Sequence, residues 1–355
     1  MKVAILYGGR SVEHGVSINS ARNIVEHIDK ENFEPVLIGI SQKGQWFLTA
    51  GVGKEIEQGK SLRLQLDYKR PVFLTDDGDA IVADIVFPVL HGTDGEDGSV
   101  QGLVQALGLP IIGTGVLGSA MSMNKVVSKR MLQQAGLPVT RYLYQQFGNT
   151  PYSFEEVKAQ LGLPFMVKSA SLGSSVGVSK VKSPSDFAKA VEESFRYDNG
   201  VLFEEFIQGR EIECAILGNC PPQASLPGEI VVSRKYEFYT FDAKYVDGEA
   251  VRIKVPAPLE PAQSELIRDL SVKAYQTLWC EDFARVDLFL TANNKVYINE
   301  INTIPGFTNS SMFPMMWKER GVSFTALITR LIELGFERFE KSKRIERDFL
   351  SSLKF

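Results

Sequence analysis

Two otherwise apolar segments in the last third of the chain are interrupted by polar side chains two positions apart. Residues 284–290 alternate along a strand, Glu300 and Asn302 lie two positions apart in Val296–Asn302, and Asn293-Asn294 between the two segments is a good hairpin turn. Successive side chains of a strand point to opposite faces, so the alternate positions of each segment share one face. The sequence therefore predicts a β-hairpin with one polar face. The residues on that face are Arg285, Asp287 and Phe289 on the first strand and Glu300 and Asn302 on the second.

The side chains of this face have the chemistry of a metal and phosphate site. Two carboxylates and an amide supply the hard oxygen ligands that Mg²⁺ requires when it bridges nucleotide phosphates, so Asp287, Glu300 and Asn302 are predicted metal ligands. Arg285 is predicted to neutralise an oxyanion without competing for the metal. An exposed, salt-bridged hairpin is the alternative, but it explains poorly why polar residues interrupt two otherwise apolar strands. The pattern therefore favours Mg²⁺-nucleotide chemistry.

Composition restricts the class of protein further. A length of 355 residues exceeds one simple core and predicts two or three domains. The net charge of −4 argues against a nucleic-acid-binding protein, which would normally be basic. Three cysteines without metal-binding spacing favour a reducing cytoplasm. The sequence contains neither a signal-peptide core nor a run of roughly 20 apolar residues, so we expect a soluble, cytoplasmic protein.

The order of predicted elements at the N-terminus indicates an α/β fold. Residues 2–7 are a short apolar run that ends at glycines, a helix is predicted from about residue 17 to 29, and residues 34–40 form the next strand. This spacing is typical of a parallel βαβ unit. Two further buried strands are predicted at residues 84–90 and 109–113. The first third of the chain is therefore predicted to be an open parallel-sheet domain.

The remaining segments predict a second, smaller α+β unit and a strand-rich C-terminal unit. Residues 46–79 are polar and rich in turns, and we expect them to be hairpins and loops attached to the first domain. Strands are predicted at residues 164–168, 177–181 and 200–205, and helices at residues 124–134, 184–195, 261–278 and from about 323.

A lysine at the end of an apolar strand precedes a loop of small residues. Lys168 is followed by residues 169–177, where backbone N–H groups and serine hydroxyls can turn towards phosphate oxygens. A flexible turn between two strands is the alternative, and for such a loop in isolation it would be favoured. The lysine, together with Lys125, shifts the prediction towards phosphate binding. The loop is not a Walker loop, because Gly-Lys-Ser/Thr opening a helix is missing.

An acidic segment at the end of the strand 200–205 suits a nucleoside. The backbone of Glu204-Glu205-Phe206-Ile207 could contact the edge of a base, while a glutamate accepts hydrogen bonds from ribose hydroxyls. Glu211 follows shortly afterwards and is a second candidate. A solvated acidic strand end is the alternative, and it would be preferred if this segment stood alone.

Three loops suggest sites for a small substrate. Glu13 lies where the first strand meets its helix, and its carboxylate would repel a pyrophosphate but suits an ammonium group. His91 lies in a Gly/Asp loop at the carboxyl end of a strand, where α/β sheets bind ligands. After the hairpin, Pro305-Gly306 predicts a tight turn whose N–H groups face a ligand, and the hydroxyls of Ser310 and Ser311 can bind a carboxylate.

The order of these segments resembles that of the ATP-grasp superfamily and, within it, the D-alanine–D-alanine ligases. The resemblance covers almost the whole chain, and although no single segment is decisive, the ordered set is very specific. The segments are GGRSVEHGVS at 8–17, HGTDGEDG at 91–98, MNK at 123–125, GSSVG at 173–177, RVD at 285–287 and NEINTIPG at 299–306.

The resemblance implies a three-domain ATP-grasp architecture with ATP between the second and third domains. We expect these domains at residues 1–116, 117–206 and 207–355. The implied reaction is the ATP-dependent ligation of two D-alanine molecules through an acyl phosphate, which supplies peptidoglycan synthesis. The implied cofactors are ATP and two Mg²⁺ ions, with Mn²⁺ as a substitute. A homodimer without nucleic-acid or membrane partners is also implied.

The resemblance also assigns roles to individual residues. Those expected to contact ATP are Lys125, Lys168, Ser175, Glu204, Phe206, Ile207, Glu211, Lys244, Phe289 and Asn299. Expected catalytic residues are Glu13, Ser174, Tyr245, Arg285 and Gly306, of which Arg285 and the Gly306 N–H form an oxyanion hole. Expected substrate-binding residues are His91, Ser311 and Met312, and the expected metal ligands are Asp287, Glu300 and Asn302.

Three positions bear on how far this resemblance extends. Asn124 stands where the family usually has an aspartate and Ser169 where it usually has a proline, and neither changes a charge that touches phosphate. Tyr245 favours the dipeptide product, because relatives that make the D-alanyl-D-lactate ester carry a histidine in that loop. Another carboxylate–amine or D-alanine–D-lactate ligase of the same fold is the nearest alternative. A nucleotide-binding regulatory protein and a dehydrogenase are the more distant ones.

Overall fold

The structure is a computed structural model that describes residues 1–65, 72–174, 176–233 and 251–346. The predicted site residues Ser175, Lys244 and Tyr245 lie outside the described residues. Within the described ranges no helix is both long and apolar enough to cross a membrane.

The first sheet has seven strands and contains the N-terminal βαβ unit. Its spatial order is β6-β5-β4-β3-β2-β1-β7, and β1 runs parallel to β2 and β7. The strands are β1 Lys2–Gly8, β2 Glu34–Ile40, β3 Trp46–Leu48, β4 Lys60–Gln65, β5 Val72–Thr75, β6 Ala80–Ile81 and β7 Ile85–Pro88. The helices of this region are α1 His14–His27, α2 Ser99–Ala106, α3 Val116–Met123 and α4 Lys125–Gln134, with a 3₁₀ turn at Ile56–Gln58.

The prediction of an open α/β sheet is confirmed, but its parallel part is smaller than expected. The strand predicted at residues 109–113 is reduced to one parallel bridge between Val86 and Ile111. The hairpins predicted between residues 46 and 79 pair antiparallel and extend the sheet from β2 onwards. Because these strands pair antiparallel, β3 adds to the exposed edge of β2 and β4 adds to the exposed edge of β3.

The second sheet is four-stranded and antiparallel, in the order β10-β9-β11-β8. Its strands are β8 Tyr142–Gln146, β9 Phe165–Ser169, β10 Val178–Val181 and β11 Gly200–Glu205, and its helices are α5 Phe154–Leu161 and α6 Pro184–Phe195. Ser153 caps α5 with a capping box, and Ser183 caps α6 with Pro184 in the first turn. Aromatic rings of both helices pack on the sheet, where Phe187 lies 5.6 Å from Phe203 between ring centroids.

The third sheet is antiparallel and contains the predicted hairpin. It runs β15-β14-β12-β16-β17, with β13 paired to β12. Its strands are β12 Gly209–Leu217, β13 Gln223–Ala224, β14 Gly228–Val232, β15 Val251–Lys254, β16 Phe283–Thr291 and β17 Val296–Asn302. The helix α7 Pro261–Thr277 packs on this sheet, with Ile267, Ala274 and Tyr275 buried in a core shared with β12, β16 and β17.

The last two helices bind the third sheet to the first. They are α8 Met312–Lys318 and α9 Phe324–Ser342. Trp317 of α8 and Leu331 of α9 are buried in one core with Ile5 and Phe87 of the first sheet and Phe283 of the third. The chain end that was predicted to belong with the C-terminal unit therefore packs partly against the N-terminal sheet. This packing brings the loop after β17 against α1 and the loop that follows β7.

Candidate active site

A cavity of about 570 Å³ lies between the second and third sheets. Strands β9, β10 and β11 form one wall, and β12, β16 and β17 form the other. Each described residue that was predicted to contact ATP lines it. These residues are Lys125, Lys168, Glu204, Phe206, Ile207, Glu211, Phe289 and Asn299, together with the predicted metal ligands Asp287 and Glu300.

The metal face of the hairpin depends on a shift of register. Asp287 pairs with Glu300, but the next residue, Leu288, pairs with Ile298. Asn299 is therefore the extra residue of a β-bulge, and both Asn299 and Glu300 line the cavity. Strict alternation would have placed only one of these two side chains on the cavity face, so the residue pattern alone could not have found Asn299.

Arg285 lies closer to the predicted metal ligand than the sequence indicated. Its guanidinium donates from Nε to Asp287 Oδ1 at 2.7 Å and from Nη2 to Asp287 Oδ2 at 2.7 Å. The same Nε lies 3.0 Å from Glu213 Oε2 on the neighbouring strand. In this arrangement the forked pair occupies both carboxylate oxygens of Asp287, so the Arg285 guanidinium contacts a predicted metal ligand directly. The two residues share one strand face only two positions apart, which brings their charges into contact.

The residues of this face fit a divalent cation that is held mainly by a nucleotide. Asp287 and Glu300 stand directly opposite each other, and Asn302 Nδ2 donates to Asp287 Oδ2 at 2.9 Å. In the described part of the chain no cluster of three or more His, Cys, Asp or Glu side chains has the arrangement of a metal site. Mg²⁺ bound to nucleotides commonly takes one or two carboxylates and completes its shell with phosphate oxygens and water. Two carboxylates and a neighbouring amide meet that requirement.

Lys168 reaches from the second sheet to the third. Its Nζ forms an ion pair with Glu204 Oε2 and donates to Asn299 Oδ1 at 3.3 Å. Burial alone would lower the pKa of Lys168, but Glu204 and Glu300 raise it above its ordinary value. The lysine is therefore a fixed positive charge at the cavity wall, which suits an anionic ligand.

Glu204 does not have the environment of a ribose acceptor. Its side chain is 1% exposed, and Lys129 and Lys168 each form an ion pair with one of its oxygens. Burial alone would raise the pKa of Glu204, but the two lysines lower it well below its ordinary range. Both oxygens of its carboxylate hold lysines, so the more exposed Glu211, to which the resemblance assigns the ribose, suits that role better than Glu204. Lys129 was missed by sequence reasoning, although its place one helical turn after Lys125 was a usable signal.

Lys125 is held at the start of α4 against the small-residue loop. Its Nζ donates to the carbonyl oxygen of Leu172 at 2.6 Å and lies 3.5 Å from Glu300 Oε2. Asn124 caps α4 by accepting from the N–H groups of the second and third helical residues, and its Nδ2 donates to Ser171 Oγ at 2.9 Å. Asparagine at this position therefore fills the capping role as an aspartate would. Lys125, Glu300 and the loop form one contiguous wall.

Apolar side chains enclose the other end of the cavity. Phe206, Ile207 and Phe289 line it, and the Lys180 ammonium lies 3.9 Å from the centroid of the Phe206 ring. A flat, apolar space with an aromatic ring and nearby backbone groups suits a purine base. The cavity therefore runs from an apolar end to an end with two lysines and two carboxylates.

The small-residue loop also touches the first sheet. Ser174, with a positive φ of 53°, donates its hydroxyl hydrogen to Glu13 Oε1. Glu13 is the residue before α1, is 7% exposed, and its own N–H donates to Ser11 Oγ at 3.1 Å. The structure thus brings together two residues that lie 161 positions apart in the chain. The predicted ammonium site and the predicted phosphate loop are neighbours.

His91 joins the first sheet to the loop after β17. Its Nδ1 lies 2.8 Å from the carbonyl oxygen of Ile304, so this nitrogen carries the hydrogen, and its Nε2 accepts from Ser20 Oγ at 2.9 Å. Burial lowers the pKa of His91 from its ordinary value. Both ring nitrogens of a neutral, 4% exposed imidazole are therefore occupied, and His91 orients the loop rather than presenting a free group to a substrate.

Glu96 holds the same loop from its other side. Its Oε1 accepts from the Ile304 N–H at 2.9 Å and its Oε2 from the Gly92 N–H at 2.8 Å. Burial, reinforced by the neighbouring carboxylate of Glu13, raises the pKa of Glu96 to about 8. In the sequence, Glu96 lies within the motif HGTDGEDG, which by itself indicates no role for this residue. Its distance of 208 positions from Ile304 explains why no local signal could have done so.

The three residues after the hairpin that were assigned to the substrate and the oxyanion lie close together. Ser311 accepts from the Thr308 N–H at 3.0 Å, and a Cβ added to Gly306 would lie 2.8 Å from Ser311 Oγ. Met312 is 4% exposed, and its side chain packs into the core beside Gly228. Only its backbone is therefore placed to meet a ligand. Gly306 gives the serine hydroxyl the space that a side chain would fill.

Two antiparallel sheets that enclose lysines on one wall and a carboxylate-bearing hairpin on the other define the class of protein. This is the arrangement of the ATP-grasp enzymes, which include ATP-dependent ligases.

Comparison with known families gives the particular group. The family described as D-ala D-ala ligase N-terminus matches residues 2–114, and the family described as D-ala D-ala ligase C-terminus matches residues 131–333. The chain belongs to the D-alanine–D-alanine ligase family.

Individual relatives match over nearly their full length. The chain is 45% identical to D-alanine–D-alanine ligase A of Escherichia coli strain K12 over 352 residues, which covers 95% of this chain and 96% of the relative. It is 45% identical to the D-alanine–D-alanine ligase of Shouchella clausii, with 97% of both chains covered.

Solved structures agree with these matches. The D-alanine–D-alanine ligase from Coxiella burnetii has a TM-score of 0.85 and 36% identity, with 97% of both chains covered. The VanG D-Ala:D-Ser ligase from Enterococcus faecalis also has a TM-score of 0.85, with 33% identity and coverage of 94% of this chain and 99% of that chain.

Proposed function

We propose that this chain ligates two D-alanine molecules to D-alanyl-D-alanine, with ATP hydrolysed to ADP and phosphate, and so supplies peptidoglycan synthesis. The observation that carries the proposal is the hydrogen bond from Ser174 to Glu13. It joins a carboxylate suited to an ammonium group to the loop beside the phosphate end of the cavity. An amino acid held at Glu13 would therefore present its own carboxylate to the terminal phosphate of ATP.

The nucleotide half of this proposal follows from the cavity. Phe206, Ile207 and Phe289 would enclose the adenine, and Glu211 would accept from the ribose hydroxyls. Lys125 and Lys168 would bind the phosphates, because their ammonium groups are fixed at the cavity wall by the 2.6 Å bond to Leu172 and the ion pair to Glu204. Ser175 and Lys244 are assigned to the phosphates by family resemblance alone.

Two Mg²⁺ ions, replaceable by Mn²⁺, would be held by Asp287, Glu300 and Asn302. When bound, the ions neutralise phosphate charge and align the transferred phosphoryl group. Arg285 would leave Asp287 when the ions arrive, because both oxygens of that carboxylate are otherwise occupied. The released guanidinium can then face the oxygen that becomes negative when the second amine attacks the activated carboxyl group.

The substrate half of the proposal places two D-alanine molecules beside the loop after β17. Glu13 would bind the ammonium of the first, and Ser311 with the backbone of Met312 would bind the carboxylate of the second. The N–H of Gly306 would stabilise the oxyanion together with Arg285. The attacking amine must be uncharged, so the rate should rise as the pH approaches the pKa of that amine. Tyr245 is assigned to the network around Glu13 and Ser174 by resemblance.

Three further parts of the proposal rest on resemblance to the family alone. They are a cytoplasmic location, a homodimer, and domains at residues 1–116, 117–206 and 207–355. Sedimentation of the purified chain would test the dimer, which predicts about twice the mass of 39.5 kDa.

The experiment for the main proposal is ADP release measured with D-alanine, L-alanine, and D-alanine mixed with D-serine or D-lactate. We expect release with D-alanine, none with L-alanine, and D-alanyl-D-alanine as the main product in the mixtures. ADP release that does not depend on D-alanine would exclude the proposed reaction. A main product containing D-serine, the second substrate named for the VanG enzyme, would keep the fold and mechanism but change the acceptor.

A further inference from the structure

A second lysine of α4 lies behind the cavity wall and does not itself line the cavity. Lys129 is 1% exposed, and its Nζ forms an ion pair with Glu204 Oε1 and donates to Thr140 Oγ1 at 2.8 Å. The Thr140 hydroxyl in turn donates to the same oxygen of Glu204. One oxygen of Glu204 is thus held entirely by residues behind the wall, which leaves only the other for the cavity side.

The other oxygen of Glu204 holds Lys168. Since Lys129 and Thr140 occupy Oε1, Glu204 offers Lys168 only Oε2. The Lys168 ammonium is thereby kept at the position from which it also donates to Asn299 on the opposite wall at 3.3 Å. The orientation of the carboxylate therefore determines where the positive charge stands in the cavity.

A contribution to stability does not explain this arrangement. Removing an ion pair from water is costly, and replacing such a pair by apolar residues is often neutral or stabilising. Two buried lysines on one carboxylate repel each other, and burial together with this repulsion lowers the pKa of Lys129 from its ordinary value although Glu204 raises it. The arrangement costs stability, but it fixes the direction in which the Lys168 ammonium faces the cavity. A role in positioning that charge therefore explains it best.

We propose that Lys129 is a positioning residue for nucleotide binding, which acts through Glu204 to hold the Lys168 ammonium towards the phosphates of ATP. Without Lys129, Glu204 turns both oxygens to Lys168 and draws its ammonium back towards the wall. This inference rests on the proposed function only for the identity of the ligand at Lys168.

The test is Lys129→Met, which keeps the length of the side chain and removes its charge. We expect the KM for ATP to rise about tenfold, a factor that corresponds to ~1.4 kcal/mol of binding free energy, while the KM for D-alanine stays within about twofold of the parent. Titration of the full chain with ATP alone should show the same loss in affinity. This binding measurement needs no turnover, so it tests Lys129 even if the ligase reaction itself is not observed.

The matched control is Arg338→Met. Arg338 is a partly buried cation, paired at 3.1 Å with the fully buried Asp282, and it lies outside the cavity. The variant Arg338→Met should lower the melting temperature without changing the KM for ATP. If Lys129→Met and Arg338→Met change the KM for ATP equally, Lys129 has only a general structural role and the inference fails.

The double variant of Lys129→Met with Glu204→Gln tests the route of the effect. If Lys129 acts through Glu204, the double variant binds ATP no more weakly than Glu204→Gln alone. Additive losses would show that Lys129 acts by another route.

Should Lys129→Met not fold, Thr140→Val removes a second partner of the same oxygen, and we expect a two- to threefold rise in the KM for ATP (about 0.4–0.6 kcal/mol). An unchanged KM in that variant would equally overturn the proposal.

Discussion

The cavity between the second and third sheets and the loop Ile304–Phe307 beside the first sheet are held by different kinds of interaction. In the cavity, lysines pair with carboxylates, as Lys168 does with Glu204. The loop is held by neutral groups and backbone atoms: Asn23 donates to the Phe307 carbonyl at 2.7 Å, and His91 donates to that of Ile304 at 2.8 Å. One half of the site is an ionic network and the other is a set of buried hydrogen bonds.

This difference matches what each half has to do. Paired charges at a cavity wall can exchange one partner for a phosphate or a metal ion at small cost, because the incoming ligand replaces the lost charge. Buried bonds to backbone groups have no such replacement, and breaking one leaves a polar group unpaired. The nucleotide half can therefore rearrange, while the loop that carries Gly306 stays fixed in position. Substitutions in the two halves should consequently differ in kind as well as in size.

The largest effect is expected from Asp287→Asn, which keeps the shape of the side chain and removes its charge. Losing one ligand of the metal face and the partner of Arg285 should reduce kcat by about 10²–10³-fold, the range found when one stabilising group of a transition state is removed. Steady-state ADP release at saturating ATP and D-alanine measures this, and raising the Mg²⁺ concentration should recover part of it. Asp269→Asn, on the exposed side of α7, is the control and should be unchanged. If Asp287→Asn keeps the kcat of the parent chain, Asp287 is not part of the metal site.

A smaller and more selective effect is expected from Glu13→Gln. A hydrogen bond to a charged group contributes about 1.5–3 kcal/mol, so the KM for D-alanine should rise about ten- to a hundredfold. The KM for ATP should stay unchanged, since Glu13 does not line the nucleotide cavity. Glu26→Gln, on the exposed side of the same helix, serves as the comparison variant. Equal increases in both KM values would argue that Glu13 supports the loop at Ser174 and does not bind the ammonium.

For the loop Ile304–Phe307, we expect a substitution to affect the free energy of unfolding more than the binding of substrates. Asn23→Ala removes the 2.7 Å bond to the Phe307 carbonyl and leaves that oxygen unpaired, at a cost of about 1–3 kcal/mol in the free energy of unfolding. Urea denaturation measures this cost. Asn19→Ala, one turn earlier and exposed, should change it by less than about 0.5 kcal/mol. Similar losses in the two variants would mean that the bond to Phe307 does not stabilise the loop.

A change confined to the pH dependence of stability is expected from Glu96→Gln. The pKa of Glu96 is about 8 in the fold against an ordinary 4.5, so between these values the folded chain binds more protons than the unfolded one. Stability therefore decreases as the pH rises from about 4.5 to 8, and the variant should lose this slope. Unfolding free energies measured at several pH values in this window would reveal it. A parent chain whose Glu96-dependent stability increases over this window would contradict the assignment.

Much of the fold followed from local patterns. The helix α6 and the strands β2, β11 and β17 have the predicted bounds, because apolar periodicity and capping residues such as Ser183 and Pro184 act within a few positions. The strand expected at residues 109–113 is reduced to one parallel bridge between Ile111 and Val86, since an apolar run alone does not determine how far a segment runs beside its neighbour. The parallel part of the first sheet was overestimated for the same reason.

The alternation of Arg285, Asp287 and Phe289 by itself determined that the hairpin has one polar face, since side-chain direction in a strand repeats every two residues. Only the tertiary structure decided that a register shift turns Asn299 to that same face, and that Arg285 lies on Asp287. It also decided that the carboxylate of Glu204 meets Lys129 and Lys168. These contacts join elements far apart in the chain, and they form because the packing of whole sheets and helices sets distances that no local sequence pattern encodes.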